Sequence, residues 1–179
     1  MNPSLEKSLH QFDRFGGELY EQLRTRSEAE LNRKPDATTW SAAEVLQHLM
    51  RVHDQYRARL EPLLDPAHRP GLAARLGLGA GFFAKILRGV THPKAARKTR
   101  TLRIFEPTHS QFSKAIVPEF RQHTQQFADL LRRLPETRYG ERISSPAGTW
   151  VVLPVEDVVH LLGNHLERHH RQIQSLPAT

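Results

Sequence analysis

Pro154-Val-Glu-Asp-Val-Val-His-Leu-Leu-Gly-Asn-His-Leu-Glu-Arg-His-His-Arg-Gln-Ile-Gln-Ser-Leu176 places two histidines, His165 and His169, where a packed helix carries core apolar residues. Leu162, His165, His169, Ile173 and Leu176 recur at steps of three and four, one stripe of a 3.6-residue helix. Imidazoles four apart project from neighbouring turns, with Cβ atoms roughly 5–6 Å apart. Two such rings can hold one metal ion side by side. The other reading is a pair of hydrogen-bonded structural or partly exposed histidines, in a chain that has 11 of them. Geometry excludes their neighbours from the pair. His160 lies about 180° round the helix from His169, and His170 is one step off the stripe.

A third histidine is available on a second helix. Thr39-Trp-Ser-Ala-Ala-Glu-Val-Leu-Gln-His-Leu-Met-Arg-Val-His-Asp-Gln-Tyr56 opens with Ser41 and Glu44 as a capping box, and Trp40 is placed for a hydrophobic staple. Val45, His48, Leu49, Val52 and Tyr56 form its apolar stripe, with His48 inside it. His53 is about 140° away from His48 and is expected to face elsewhere. Three inward histidines meeting at one point would make a metal site with open positions. A buried neutral histidine without a partner would otherwise carry a desolvation cost.

These residues carry a resemblance. Lys34-Pro-Asp-Ala-Thr-Thr-Trp-Ser-Ala-Ala-Glu-Val-Leu-Gln-His-Leu49 is similar to the second-helix signature of the DinB/YfiT-like superfamily, and His165-Leu-Glu-Arg-His-His-Arg-Gln-Ile173 to its last-helix signature. The resemblance spans roughly residues 5–65 and 107–176 and is weakest between 66 and 106. It implies a four-helix bundle with a divalent metal, often nickel or zinc, held by three histidines; carried over, these are His48, His165 and His169. It also implies an activity class. Characterised relatives include thiol-dependent transferases and isomerases that use bacillithiol, mycothiol or glutathione. A low-molecular-weight thiol and an electrophilic small molecule are therefore the expected partners, with metal-dependent hydrolysis as the alternative.

Composition agrees with one modest domain over residues 1–179, long enough to bury about 70% of its unfolded surface. No apolar run reaches the roughly 18 residues of a transmembrane helix. The start, Met-Asn-Pro-Ser-Leu-Glu-Lys, lacks the apolar core of a signal peptide, so a cytoplasmic location is expected. With no cysteine, a Cys-ligated zinc is excluded and any reacting thiol must come from a co-substrate.

The pattern predicts an all-α, antiparallel four-helix bundle. Helix one runs from about Leu5 to Arg26 on the stripe Leu5, Leu9, Phe12, Leu19 and Leu23. Gly16-Gly17 interrupts it at about 1 kcal/mol per glycine, which signals a kink or a close helix crossing. Helix two runs from Ala42 to about Leu64. Pro118 belongs in the first turn of helix three, since an interior proline costs about 3 kcal/mol. Phe120, Thr124, Phe127, Leu130, Leu131 and Leu134 form that helix's inward stripe. A link from Thr137 to Leu153 holds Gly, Pro and β-branched residues, and Pro154 opens helix four with Glu156 and Asp157 behind it.

Between helices two and three lies a basic insert, residues 66–106. From Ala67 to Phe105 there are nine Lys or Arg and no Asp or Glu, so a chain of +7 carries 7 − 9 = −2 elsewhere. Leu72 to Leu87 reads as a short amphipathic helix; Thr91 to Arg103 reads as a polar arm. Such charge suits a membrane surface, nucleic acid or an anionic substrate, and a non-catalytic bundle that grips an anionic partner is an alternative function. The plainer reading is a solvated loop whose apolar part covers the bundle mouth or a homodimer contact. Specific DNA reading is not expected, because no helix-turn-helix or zinc-finger spacing occurs.

Other chemical motifs are missing. There is no phosphate-binding Gly-x-x-x-x-Gly-Lys loop, Gly77-x-Gly79-x-Gly81 lacks a flanking strand, and no Gly-x-Ser-x-Gly elbow exists. Asp54 and Glu167 are near enough in sequence to orient a ligand imidazole. Gln172, one turn beyond His169, is a further residue expected to face the site.

Overall fold

Helix α1 (Pro3–Leu23) leads to a short α2 (Glu28–Asn32), then to α3 (Ala42–Leu60), α4 (Ile116–Arg133) and α5 (Val155–Gln174) in the computed structural model, which describes residues 3–71 and 101–177. One 3₁₀ turn (Glu61–Leu64) extends α3, and another (Arg103–Phe105) lies ahead of α4. The expected amphipathic helix at 72–87 and most of the polar arm at 91–103 fall outside the described residues.

The apolar stripes form one core. Leu5, Leu9, Phe12, Leu19 and Leu23 of α1 are buried against Val45, Leu49, Val52 and Tyr56 of α3 and Phe120, Phe127, Leu130 and Leu131 of α4. Local signals fix the ends of α3. Ser41 accepts from the Glu44 amide while Glu44 accepts from the Ser41 amide at 2.8 Å, and Lys34 pairs with Glu44 at 2.8 Å. A second capping box, Ser27 with Glu30, starts the unanticipated α2.

Helix directions follow from residue contacts. Ser8 meets His160, Gln11 meets Glu167, and Phe15 and Glu18 meet His170, so α1 and α5 advance side by side in the same sense. Phe12 meets Phe127 and Asp13 meets Arg132, while Gly16 lies against Thr124, so α1 and α4 oppose each other. His48 faces His169, and Tyr56 reaches Ser145 ahead of α5, so α3 opposes α5. The four-helix bundle is therefore ordered up-down-down-up. Parallel neighbours α3 and α4 need a connection that returns the length of a helix, about 28 Å for 19 residues. The chain from Glu61 to Ala115 supplies it.

Gly16 marks a close crossing and α1 continues unbroken through it. A Cβ there would stand 3.0 Å from Thr124 Cγ2, whereas one on Gly17 would clear its nearest neighbour by 3.7 Å. Pro118 sits in the first turn of α4, as its missing N–H requires.

The link before α5 is more ordered than a plain connection. Arg142–Ser145 and Gly148–Pro154 pair as an antiparallel hairpin, β1 and β2, with Ile143 opposite Leu153. The β-branched run in β2 suits a covered strand, and Val151, Val152 and Leu153 are all buried. Carbonyls of Glu141 and Tyr139 accept from the Val155 and Glu156 amides at 2.8 and 3.0 Å, which caps α5 where Pro154 cannot.

Candidate metal centre

α3 and α5 approach each other less closely than the other principal helix pairs, and the histidines fill that seam. His48 comes from α3; His165 and His169 come from successive turns of α5. His165 Nε2 lies 3.2 Å from His48 Nε2 and 3.1 Å from His169 Nε2. Ring centroids are 4.5 to 5.1 Å apart. Among the described residues these three alone form a set of His, Asp or Glu able to share an ion.

Hydrogen bonds on the far side of two rings decide which nitrogen faces inward. His48 Nδ1 lies 2.7 Å from the Phe105 carbonyl, which can only accept, so Nδ1 carries the proton and Nε2 presents a lone pair. His169 Nδ1 is 2.7 Å from Gln172 Oε1, with the same result. Two lone pairs thus point at a third nitrogen at just over 3 Å, an arrangement that repels unless a proton or cation lies between them. Nitrogens about 2.0–2.1 Å from one ion would stand roughly 2.8–3.4 Å apart for octahedral to tetrahedral angles. Both spacings to His165 fall inside that range, and the residues fit a divalent metal ion.

Burial supports neutral ligands. It pushes the His48 pKa down to about 4 and that of His169 to about 3, and it holds His165 well below the usual histidine range with help from the neighbouring rings. Neutral imidazole is the ligating form. Trp40, half-buried, packs on the His48 ring at 4.9 Å.

Gln172 faces the site as expected; Asp54 and Glu167 orient neither ligand. Asp54 accepts from His123 at 2.7 Å, and Glu167 is engaged by Arg171 at 2.5 Å and Gln11 at 3.1 Å. Each carboxylate is taken up by a partner outside the three histidines. His53 points away from the three, into α1 and α4, where it stacks on Phe127. His160 meets Ser8 and His170 meets Glu18, so both leave the set as their angles predict. The unforeseen contributor is the Phe105 carbonyl. A backbone group in the crossover leaves no side-chain signal in sequence. Its segment is tied down by Arg51, which donates to the Ile104 carbonyl at 2.9 Å, and by Gln47, bonded twice to Thr108 at 2.9 and 2.7 Å.

No helix among the described residues is long and apolar enough to cross a membrane. No curated protein matches the chain in sequence. In fold it is similar to YfiT from Bacillus subtilis, described as a probable metal-dependent hydrolase with an unusual four-helix bundle topology. The TM-score is 0.60 at 14% identity, covering 97% of this chain and 86% of that one. The family model of the DinB superfamily matches residues 11–173, from within α1 to nearly the end of α5. The chain belongs to the DinB superfamily.

Proposed function

We propose that this chain is a metal-dependent enzyme that holds a divalent ion, zinc or nickel, on His48, His165 and His169 and carries out hydrolysis. One observation carries the reading: two ring tautomers are fixed by outward hydrogen bonds so that bare Nε2 atoms converge on a third at 3.1 and 3.2 Å. Such an ion supplies Lewis acidity and lowers the pKa of a coordinated water or thiol. The protein contributes three neutral donors, which leave the positive charge of the ion uncompensated. No carboxylate among the described residues joins the set. Trp40 and the 103–105 turn pack beside His48 and limit water on that flank. The likeness in fold to YfiT supports hydrolysis as the reaction class.

A second reading is transfer of a low-molecular-weight thiol to an electrophilic carbon. The chain has no cysteine of its own, and nine uncompensated positive charges between Ala67 and Phe105 would attract the carboxylates of such a thiol. That insert ends at the carbonyl that holds His48.

Elemental analysis of protein purified without chelator tests the site, with about one zinc or nickel per chain expected. No uptake by the wild-type chain overturns the proposal and leaves a bundle that binds an anionic partner through its basic insert. Assay of the loaded protein on ester, amide and phosphoester panels, with and without added thiols, then separates the reactions. Turnover that requires thiol selects transfer; turnover in water alone selects hydrolysis.

A further inference from the structure

The turn that bears the Phe105 carbonyl is short and thinly anchored. Its last internal hydrogen bond runs from the Glu106 amide to the Arg103 carbonyl at 3.3 Å, and among the described residues no backbone amide meets the Ile104 or Phe105 carbonyl. Phe105 packs against the core, but Leu102 and Ile104 are exposed, at 47% and 40%, so apolar burial gives the turn one anchor.

Two side chains of α3 take up the open carbonyls. His48 Nδ1 donates to Phe105 at 2.7 Å, and Arg51 Nη2 donates to Ile104 at 2.9 Å. Three residues apart, they leave α3 from one face on successive turns. Carbonyls left open at the end of a helical turn are ready acceptors for such side chains. Among the described residues Arg51 pairs with no carboxylate; the Ile104 carbonyl is its one hydrogen-bond partner, and its Nε is buried and bare. The guanidinium thus holds the carbonyl next in sequence to the one that fixes a candidate ligand.

We propose that Arg51 is a positioning residue for the ligand His48, acting through the 103–105 turn. By holding the Ile104 carbonyl it sets the place of the Phe105 carbonyl, which fixes the His48 tautomer and keeps Nε2 bare toward the other two rings. This role rests on the metal-site reading and extends it to a residue outside the ligand set.

Metal affinity of the full chain, measured by competition with a chromophoric chelator, separates this role from a charge effect by its sign. Loss of a nearby cation alone would strengthen binding of a metal ion, whereas loss of a positioning contact weakens it. Arg51→Met should bind zinc or nickel about 10-fold less tightly, the low end of the range for lost outer partners. Arg51→Lys, one bond shorter and still a donor, should stay within about threefold of wild type. NMR of the zinc-loaded chains gives the second reading. Arg51→Met should lose the exchange-protected His48 Nδ1–H, which Arg51→Lys regains, while the His169 Nδ1–H held by Gln172 persists in both. Binding by Arg51→Met as tight as wild type or tighter, loss of both N–H signals together, or failure of lysine to restore the first overturns the role and leaves the metal site standing. Wild-type protein that takes up no metal overturns both. If Arg51→Met does not fold, Arg51→Gln, two bonds shorter than arginine and out of reach of the carbonyl, is read by the same outcomes.

Discussion

His48 Nδ1 donates to the carbonyl of Phe105, 57 residues downstream, across 2.7 Å. One hydrogen bond therefore fixes both the tautomer of a candidate ligand and the place where the crossover returns to the bundle.

Removing a ligand should cost more than removing its outer partner. His48→Ala, His165→Ala and His169→Ala are each expected to lower metal affinity more than about 100-fold, beyond the 10- to 100-fold range of outer contacts. The chelated variants should retain helical circular dichroism, since the rings line a seam instead of filling the core. Unchanged uptake in any of the three would remove that residue from the set.

Gln172 gives a graded version of the same test. Gln172→Leu deletes the acceptor 2.7 Å from His169 Nδ1 and should weaken metal binding about 10-fold or more. Gln172→Glu keeps an acceptor and should bind at least as well as wild type. Equal affinities for the Leu and Glu variants would show that the bond orients nothing.

Burial of these rings also sets a pH response. The folded-state pKa values are lowered, so the unfolded chain binds more protons and stability rises with pH. For the chelated protein, stability is full above about pH 6.5 and is lost as pH falls toward the folded values of about 4 and 3. His48 alone, moved from 6.5 to about 4, accounts for roughly 3 kcal/mol at the acid end. Urea midpoints measured from pH 7 to 4 should fall, and the fall should shrink in His48→Phe. A flat profile would contradict the buried, neutral state of the rings.

Adjacent glycines in α1 should respond with opposite signs. Gly16→Val pushes carbon into Thr124 of α4 and is expected to destabilise by about 1–3 kcal/mol. Gly17→Ala meets nothing closer than 3.7 Å and should gain up to about 1 kcal/mol from helix propensity. Denaturant melts of the two variants are sufficient to check this. Stabilisation by Gly16→Val would mean that α1 and α4 do not cross tightly there.

The four bundle helices and the convergence of the three histidines were legible because each rests on a local rule. Stripe positions such as Val45, His48 and Leu49 follow from periodicity, and the Ser41–Glu44 box announces its helix. Helix order was not legible, because periodicity says which face is buried and nothing about direction. Only contacts such as His160 with Ser8 reveal that α1 and α5 run together. The hairpin was half visible: its β-branched residues were noticed, but pairing Ile143 with Leu153 depends on a register no single strand encodes. Asp54 and Glu167 illustrate the remaining failure. Proximity in sequence suggested them as partners for the ligands, yet His123 and Arg171 compete for them more closely.

The crossover divides the candidate donor set as well as the fold. Everything before it, α1 to α3, carries His48; everything after it, α4 to α5, carries His165 and His169. A chain severed between 66 and 101 would yield two fragments, neither holding three donors. Metal capture by the mixture would then be a read-out of reassembly, so this scaffold is suited to splitting into a two-part reporter whose signal exists only when both halves meet.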